Sequence, residues 1–297
     1  MQSHYLKCHD LIKLYSDPVT KMKIAALRGI DLEVEEGGLV ALIGPSGAGK
    51  STLINIIGGV ERPSSGDVVV GDKIVNKMKG KELDQYHRQD VGFLYQFPKR
   101  NLVWNITVFQ NVILPMKLVS RWALEEQKKR TLELLRILGL NQRADHKPHE
   151  LSGGEAQRLG IAIALANDAG IILADEPTGE LDSVTTFKII NYFKKINEEL
   201  NKTIIVVTHD HRFANMTDKT MRILDGQIVG LHRAKDPFQI AVVKEREELF
   251  YIDDFGNLRI PEYMRREAGL KKHVKLEIVD GRVTVIPAQK SRNQNKP

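Results

Sequence analysis

Residues 44–51 read Gly44-Pro45-Ser46-Gly47-Ala48-Gly49-Lys50-Ser51, followed by Thr52. Glycines at this spacing let backbone N–H groups crowd around phosphate oxygens, and a helix beginning near Lys50 aims its positive end at them. Lys50 is a point charge for β- and γ-phosphates, and the Ser51 hydroxyl is a Mg²⁺ ligand. The plain alternative is a glycine-rich turn between a strand and a helix. A second constellation, IILADE at 171–176, ends in two carboxylates. Asp175 suits Mg²⁺, through water, as a hard oxygen ligand. Glu176 is the candidate general base for an attacking water. Acidic pairs after strands also serve as helix caps, so the pair gains its meaning from the phosphate loop. The third is LSGGEAQR at 151–158. Ser152, Gly153, Gly154 and Glu155 open a helix, offering a hydroxyl, free N–H groups and a helix dipole. One nucleotide needs one such cradle, so a second points to a nucleotide held by another copy; alone it would read as an N-cap with an acidic first turn.

Four short apolar runs can deliver these groups to one place: Leu39 to Ile43, Val91 to Tyr95, Ile171 to Ala174 and Ile204 to Val207. Runs of this kind bury both faces of a mainly parallel sheet. Helical patterns lie between them at Ser51 to Ile57, Leu124 to Leu138, Gly154 to Ala166 and Thr185 to Leu200. The runs open into the phosphate loop, Gln96, Asp175-Glu176 and Thr208-His209 respectively. Ligands of open α/β sheets bind outside the carboxyl ends of the strands, so four polar strand ends imply one shared site. The fold class expected is therefore α/β. The stretch from about 97 to 165 reads as an inserted helical lobe. Gly66 to Val75 is expected to join Leu32 to Val34 in a small antiparallel layer, and Arg222 to Leu231 reads as a hairpin turning at Asp225-Gly226.

The 297 residues allow two domains or one large domain with an appendage. Lys and Arg number 44 against 38 Asp and Glu, a mild excess compatible with acidic neighbours or with a surface charged for solubility. From Arg233 onward 14 basic side chains stand against 10 acidic ones. No apolar stretch approaches the roughly 18–20 residues of a membrane span, and MQSHYLKCHD lacks the apolar core of a secretory signal. Cys8 is the single cysteine, which leaves no internal disulfide or thiolate zinc site. The expectation is a soluble intracellular protein whose membrane role, if any, is peripheral.

Taken together, the motifs make the first 232 residues resemble the ATP-binding subunit of an ABC transporter, a P-loop cassette. The resemblance implies head-to-tail pairing of two subunits, with ATP between the phosphate loop of one and the LSGGE of the other. It implies further roles at matching positions. Gln96 contacts Mg²⁺ or the water and senses the membrane partner. Asp182 spans the dimer, His209 contacts the γ-phosphate, and Tyr15 stacks on adenine. A lone tyrosine or histidine is more often structural. IIGGVERPSSGDV, ADEPTGELDS and TVFQNVILP resemble the lipoprotein-release, macrolide-export and antimicrobial-peptide-detoxification group. Glu180 replaces that group's usual asparagine, and Ile163-Ala164 its usual Arg-Ala.

Residues 233–249 read as a linker, with a short charged helix over Val242 to Leu249, and 288–297 as a disordered tail. Between them, 250–287 resembles the swapped-hairpin module of AbrB-type regulators: a strand, Arg-Ile-Pro, a helix over Glu262 to Ala268, then two strands around Asp280-Gly281. Some forty residues bury too little alone, and exchange of strands between two copies would remedy that. Arg265, Arg266, Lys271 and Lys272 could contact DNA or form a solvated helix face; a dimer tether or regulatory role is favoured over DNA. The function expected is an ATP hydrolase that dimerises around two Mg-ATP. It would drive a separate integral membrane permease from the cytoplasmic face of the membrane. A soluble ABC ATPase acting on nucleic acid and an ATPase-linked transcriptional regulator are the alternatives.

Overall fold

The computed structural model describes residues 4–17, 21–97, 100–119, 121–179, 181–210, 212–213, 217, 219–233, 247–249, 258, 260, 262–270, 274–279 and 282–287. The chain divides into two compact units, Met1–Leu249 and Phe250–Pro297.

The first unit is built on a seven-stranded sheet. Its parallel core consists of β3 (Leu39–Ile43), β6 (Val91–Leu94), β7 (Ile171–Asp175), β8 (Thr203–Thr208) and β9 (Lys219–Leu224). Across the sheet these run in the order β9-β3-β8-β7-β6. Every residue of β3 and β8 is buried, as unbroken apolar runs require when both faces are covered. Successive side chains of β3 enter opposite cores. Leu39, Ala41 and Ile43 pack with the helical lobe, while Val40 and Leu42 pack with α1 (Lys50–Ile57) and the antiparallel layer. Facing the first core are α3 (Val108–Val119), α4 (Leu124–Ile137), α5 (Gly153–Leu165) and α6 (Ser183–Leu200). A short helix, α2 (Lys81–Gln85), precedes β6.

The second sheet has the order β2-β1-β4-β5, from β1 (His4–Ser16), β2 (Lys23–Glu35), β4 (Ser65–Val70) and β5 (Lys73–Ile74). The Gly66–Val75 stretch thus shares a sheet with Leu32–Val34, but β1 lies between them and pairs with both. Two further strands extend the large sheet beyond β9: β10 (Gln227–Arg233) and β11 (Glu247–Leu249), both antiparallel to their neighbours. Glu247–Leu249 is therefore strand where a helix had been expected, and Arg233 is strand rather than linker. The free edge of β10 offers unpaired backbone groups, and Leu249, Glu248 and Glu247 take them opposite Leu231, His232 and Arg233. Residues 234–246 and 288–297, read as linker and tail, lie outside the described residues, as does Glu180.

In the second unit the described elements are α7 (Glu262–Glu267), β12 (Val274–Val279) and β13 (Arg282–Pro287). β12 and β13 form a hairpin in which Leu276 opposes Val285 and Ile278 opposes Val283. The first strand of the expected module, Arg259, Pro261, Lys271, Lys272 and Asp280-Gly281 lie outside the described residues.

The Asp225-Gly226 turn is the two-residue hairpin loop that the sequence suggested, with φ of 50° and 78°. It also stitches the two sheets to the phosphate loop. Gly226 N–H donates to the Ala48 carbonyl at 3.0 Å, and Arg28 N–H donates to the Gly226 carbonyl at 2.9 Å. A Cβ on Gly226 would sit 2.6 Å from the Ala26 carbonyl oxygen. Gly226→Ala is expected to destabilise the unit by about 1–3 kcal/mol, since both the positive φ and the contact oppose it. Denaturant unfolding of the two proteins checks this.

Candidate functional site

The phosphate loop connects β3 to α1 and wraps one wall of a cleft of about 610 Å³. Ala26, Ser46, Gly47, Gly49, Lys50, Ser51, Thr52, Gln96, Glu176 and His209 line it. Gly49, the residue before α1, has φ +98°, and a Cβ there would lie 2.4 Å from the Ala26 carbonyl oxygen. Only glycine lets the loop turn into the helix this close to β2. Lys50 is 7% exposed. Its Nζ donates to the Gly44 and Pro45 carbonyls at 2.9 and 3.0 Å and stands 3.8 Å from Glu176 Oε1. An ammonium so enclosed must be compensated, and these three acceptors do it.

The opposite wall comes from the strand ends. Glu176 follows β7 with φ +46°, a left-handed conformation that costs a non-glycine residue about 1–3 kcal/mol. Its N–H donates to the Val207 carbonyl at 2.8 Å, turning the side chain toward the loop. Oε2 lies 3.0 Å from His209 Nδ1 and accepts from His209 N–H at 3.2 Å. The His209 ring remains 67% exposed. Asp175 is largely buried, which raises its carboxyl pKa above the ordinary value against the opposing pull of the Ser51 hydroxyl. Ser51 Oγ donates to Asp175 Oδ1 at 3.1 Å. A hydroxyl and a carboxylate converging at the loop's end fit Mg²⁺, which takes few protein oxygens and completes its shell with phosphate and water. Among the described residues no three His, Cys, Asp or Glu side chains form a metal cage. Tyr15 stands near the far end of α1's first turn, its hydroxyl 3.4 Å from Thr52 Oγ1.

Ser152, Gly153, Gly154, Glu155 and Asp182 are not in this cleft. They line a second one of about 500 Å³, with Arg158, Leu181, Thr185, Lys188, Ile189 and Tyr192, and the two clefts share no residue. Ser152 caps α5 reciprocally with Glu155. Its Oγ accepts from Glu155 N–H at 3.3 Å, while Glu155 Oε2 accepts from Ser152 N–H at 2.9 Å and from Ser152 Oγ at 2.8 Å. Arg143 Nε bonds the other oxygen at 2.9 Å. The Ser152 backbone first, then Arg143 and the Ser152 hydroxyl, hold the Glu155 carboxyl down at about 2. Asp182 likewise caps α6, accepting from Val184 and Thr185 N–H and from Thr185 Oγ1. These bonds lower its pKa.

The motifs did not announce Arg143 or Thr185, which hold the motif residues Glu155 and Asp182 in the folded chain. Arg158, the last residue of the 151–158 motif, donates to the Leu138 carbonyl at 2.8 Å and lies over the Tyr192 ring. Ile163, the departure noted above, packs against the helical-lobe core.

Residues 27–179 match the sequence profile of the family described as "ABC transporter". A relative named lipoprotein-releasing system ATP-binding protein LolD, from Bacteroides thetaiotaomicron, is 39% identical over 73% of this chain and 99% of its own. The chain belongs to the ABC transporter family. It is one of that family's ATP-hydrolysing cassettes, and the lipoprotein-release likeness in its motifs is borne out. The uncharacterised ABC transporter ATP-binding protein MJ0796 of Methanocaldococcus jannaschii is 45% identical over 69% of this chain and 88% of its own. A dimeric structure of the MJ0796 cassette in a post-hydrolysis state, bound to ADP and Pi, superposes with a TM-score of 0.70. It covers 77% of this chain and 98% of that one at 40% identity.

The depressed Glu155 carboxyl carries a pH signature. Glu155→Gln is expected to cost about 1 kcal/mol at pH 7, a modest figure because the group is partly solvated. Because the folded value lies below the ordinary 4.5, this difference is fully present above pH 4.5. It fades as pH falls toward about 2. Unfolding curves of both proteins across that window check it.

Proposed function

We propose that two copies of the chain close head to tail around two Mg-ATP and that the closure drives an integral membrane permease on a separate chain. The observation that carries this reading is the division of anion-binding groups between two clefts with no residue in common. A phosphate gripped by the loop in one copy leaves the N-terminus of α5 in that same copy without an anion; a second copy supplies one. The solved MJ0796 cassette is described as dimeric, and relatives are named for a lipoprotein-releasing system, which supports both the pairing and the permease. No helix among the described residues is long and apolar enough to cross a membrane. Peripheral attachment at the cytoplasmic face follows from that role.

Lys50, held by the Gly44 and Pro45 carbonyls, and backbone N–H groups between Ser46 and Thr52 bind the β- and γ-phosphates and stabilise charge spread over the transferred phosphoryl group. Water attacks the γ-phosphorus as the bond to the bridging oxygen breaks, and ADP leaves. Glu176 accepts the water's proton at its carboxylate, oriented by His209, which also reaches the γ-phosphate. Ser51, Asp175 and Gln96 would hold a Mg²⁺, which when bound neutralises charge on the β- and γ-phosphates. Tyr15 stacks on adenine. Ser152, Gly153 and Gly154, backed by Glu155, close over the partner's γ-phosphate, and Asp182 meets the partner at the seam. Gln96 relays the state of the site to the permease.

The second unit, an AbrB-like module at 250–287, acts as a tether between copies. One face of its hairpin is apolar and open, with Leu276 64%, Ile278 78% and Val283 66% exposed. A two-stranded hairpin needs a further layer to be stable.

Two results test the reading. Lys50→Ala is expected to lose ATP binding. Glu176→Gln is expected to bind ATP and accumulate as a dimer with Mg²⁺ present, seen by light scattering. A strictly monomeric Glu176→Gln protein at saturating ATP would overturn it. For the tether, Ile278→Glu is expected to reduce self-association in the absence of nucleotide, with ATP affinity unchanged.

A further inference from the structure

Tyr15 is one residue from the end of β1 and 39% exposed. A phenol in that position would sweep several rotamers, yet this one is held. Its hydroxyl donates to Glu61 Oε2 at 2.5 Å. Glu61 is itself fixed to α1. Val60 and Glu61 N–H both donate to the Asn55 carbonyl, at 2.9 and 3.1 Å, and Asn55 Nδ2 reaches Glu61 Oε1 at 3.4 Å. Lys13, two residues before Tyr15 and so on the same side of β1, completes the cluster. Its ammonium donates to the Arg62 carbonyl at 2.8 Å, stands 3.5 Å from Glu61 Oε2, and lies over the Tyr15 ring 5.0 Å from its centre.

We propose that Glu61 is a positioning residue for the nucleotide base. It fixes the Tyr15 ring to α1 while Lys13 covers one ring face, leaving a single face for a purine at a set distance from the phosphate loop. The inference rests on the reading that ATP occupies the phosphate-loop cleft. α1 begins at Lys50 and carries Thr52, which lines that cleft and lies beside the Tyr15 hydroxyl. Ring and phosphate grip are thereby referred to one rigid element. Glu61 does not line the phosphate-loop cleft, so its effect reaches the ligand through the ring. Pre-ordering one flexible side chain is worth about two- to tenfold in affinity.

The test compares two ligands on the full chain by calorimetry: a non-hydrolysable ATP analogue, the β,γ-imido triphosphate, and inorganic tripolyphosphate, which has no base. Glu61→Ala is expected to weaken the analogue about two- to tenfold while leaving tripolyphosphate unchanged. Glu61→Gln, which keeps an acceptor for the phenol, restores most of the loss. Tyr15→Phe reproduces the loss of Glu61→Ala, and the double variant is no worse than either single one. Equal weakening of tripolyphosphate would assign Glu61 to the packing of α1 and overturn the proposal; additive losses or no loss would do the same. If Glu61→Ala does not fold, Tyr15→Phe against the unaltered chain reads the same bond. Should the unaltered chain bind the analogue no better than tripolyphosphate, the base platform fails while the phosphate site stands. If it binds neither, the nucleotide assignment itself fails and takes this inference with it.

Discussion

An ammonium that is 7% exposed sets the terms for the rest of the first unit. So enclosed a charge as that of Lys50 cannot be left uncompensated, and the loop folds its own Gly44 and Pro45 carbonyls onto it. The third acceptor, Glu176, arrives from two strands away. β8 lies between β3 and β7, so the carboxylate has to lean across the end of β8 to reach the loop. The left-handed turn at Glu176 and its bond to the Val207 carbonyl produce that lean, and His209, just past β8, steadies the far oxygen. The cation and the strand order are thus one constraint. A sheet with β7 beside β3 would need no such turn and would leave no place for His209 between them.

The same loop is gripped from outside. Ala26 on β2 presents its carbonyl to the backbone at Gly49 and at Gly226, while Ala48 is bonded to the Asp225-Gly226 turn. The antiparallel layer and the hairpin at the sheet's other edge therefore meet on one short stretch of backbone. A loop that must direct N–H groups at phosphate gains from being held before the ligand arrives, because its ordering is then not charged against binding.

How much of this was readable beforehand follows from the range of each interaction. The parallel strands appear as apolar runs because both faces are buried, and the phosphate loop, the acidic pair and the α5 cap are each contained within about eight residues. β1 carries no clear strand pattern, for a local reason. Asp10 takes φ +44° and the register slips between Cys8 and Leu11, so the buried Leu6, Cys8 and Leu11 follow a two-then-three spacing in place of strict alternation. The glutamates of β11 suit a helix, and the edge of β10 overrides that preference. The ties that hold site residues in place run over longer distances. Glu61 meets Tyr15 across 46 residues and Arg143 meets Glu155 across 12, and no local pattern marks either.

Arg143 also resolves an electrostatic conflict in the second cleft. A helix N-terminus favours an anion, yet Glu155 sits in its first turn, where it would repel an incoming phosphate. Bonded to the Ser152 backbone and to Arg143, its charge is spent within the chain and the remaining N–H groups of α5 keep their positive field. Arg143 follows α4 in the lobe, and at the other end of α5 Arg130 of α4 donates to the Leu165 and Ala166 carbonyls at 2.9 and 2.8 Å. α5 is thereby fastened at one end to α4 and at the other to the turn that follows it. In the proposed dimer, a phosphate drawn onto Ser152–Gly154 would therefore act on the lobe rather than on a single helix, the kind of coupling by which a small displacement at a ligand site is amplified.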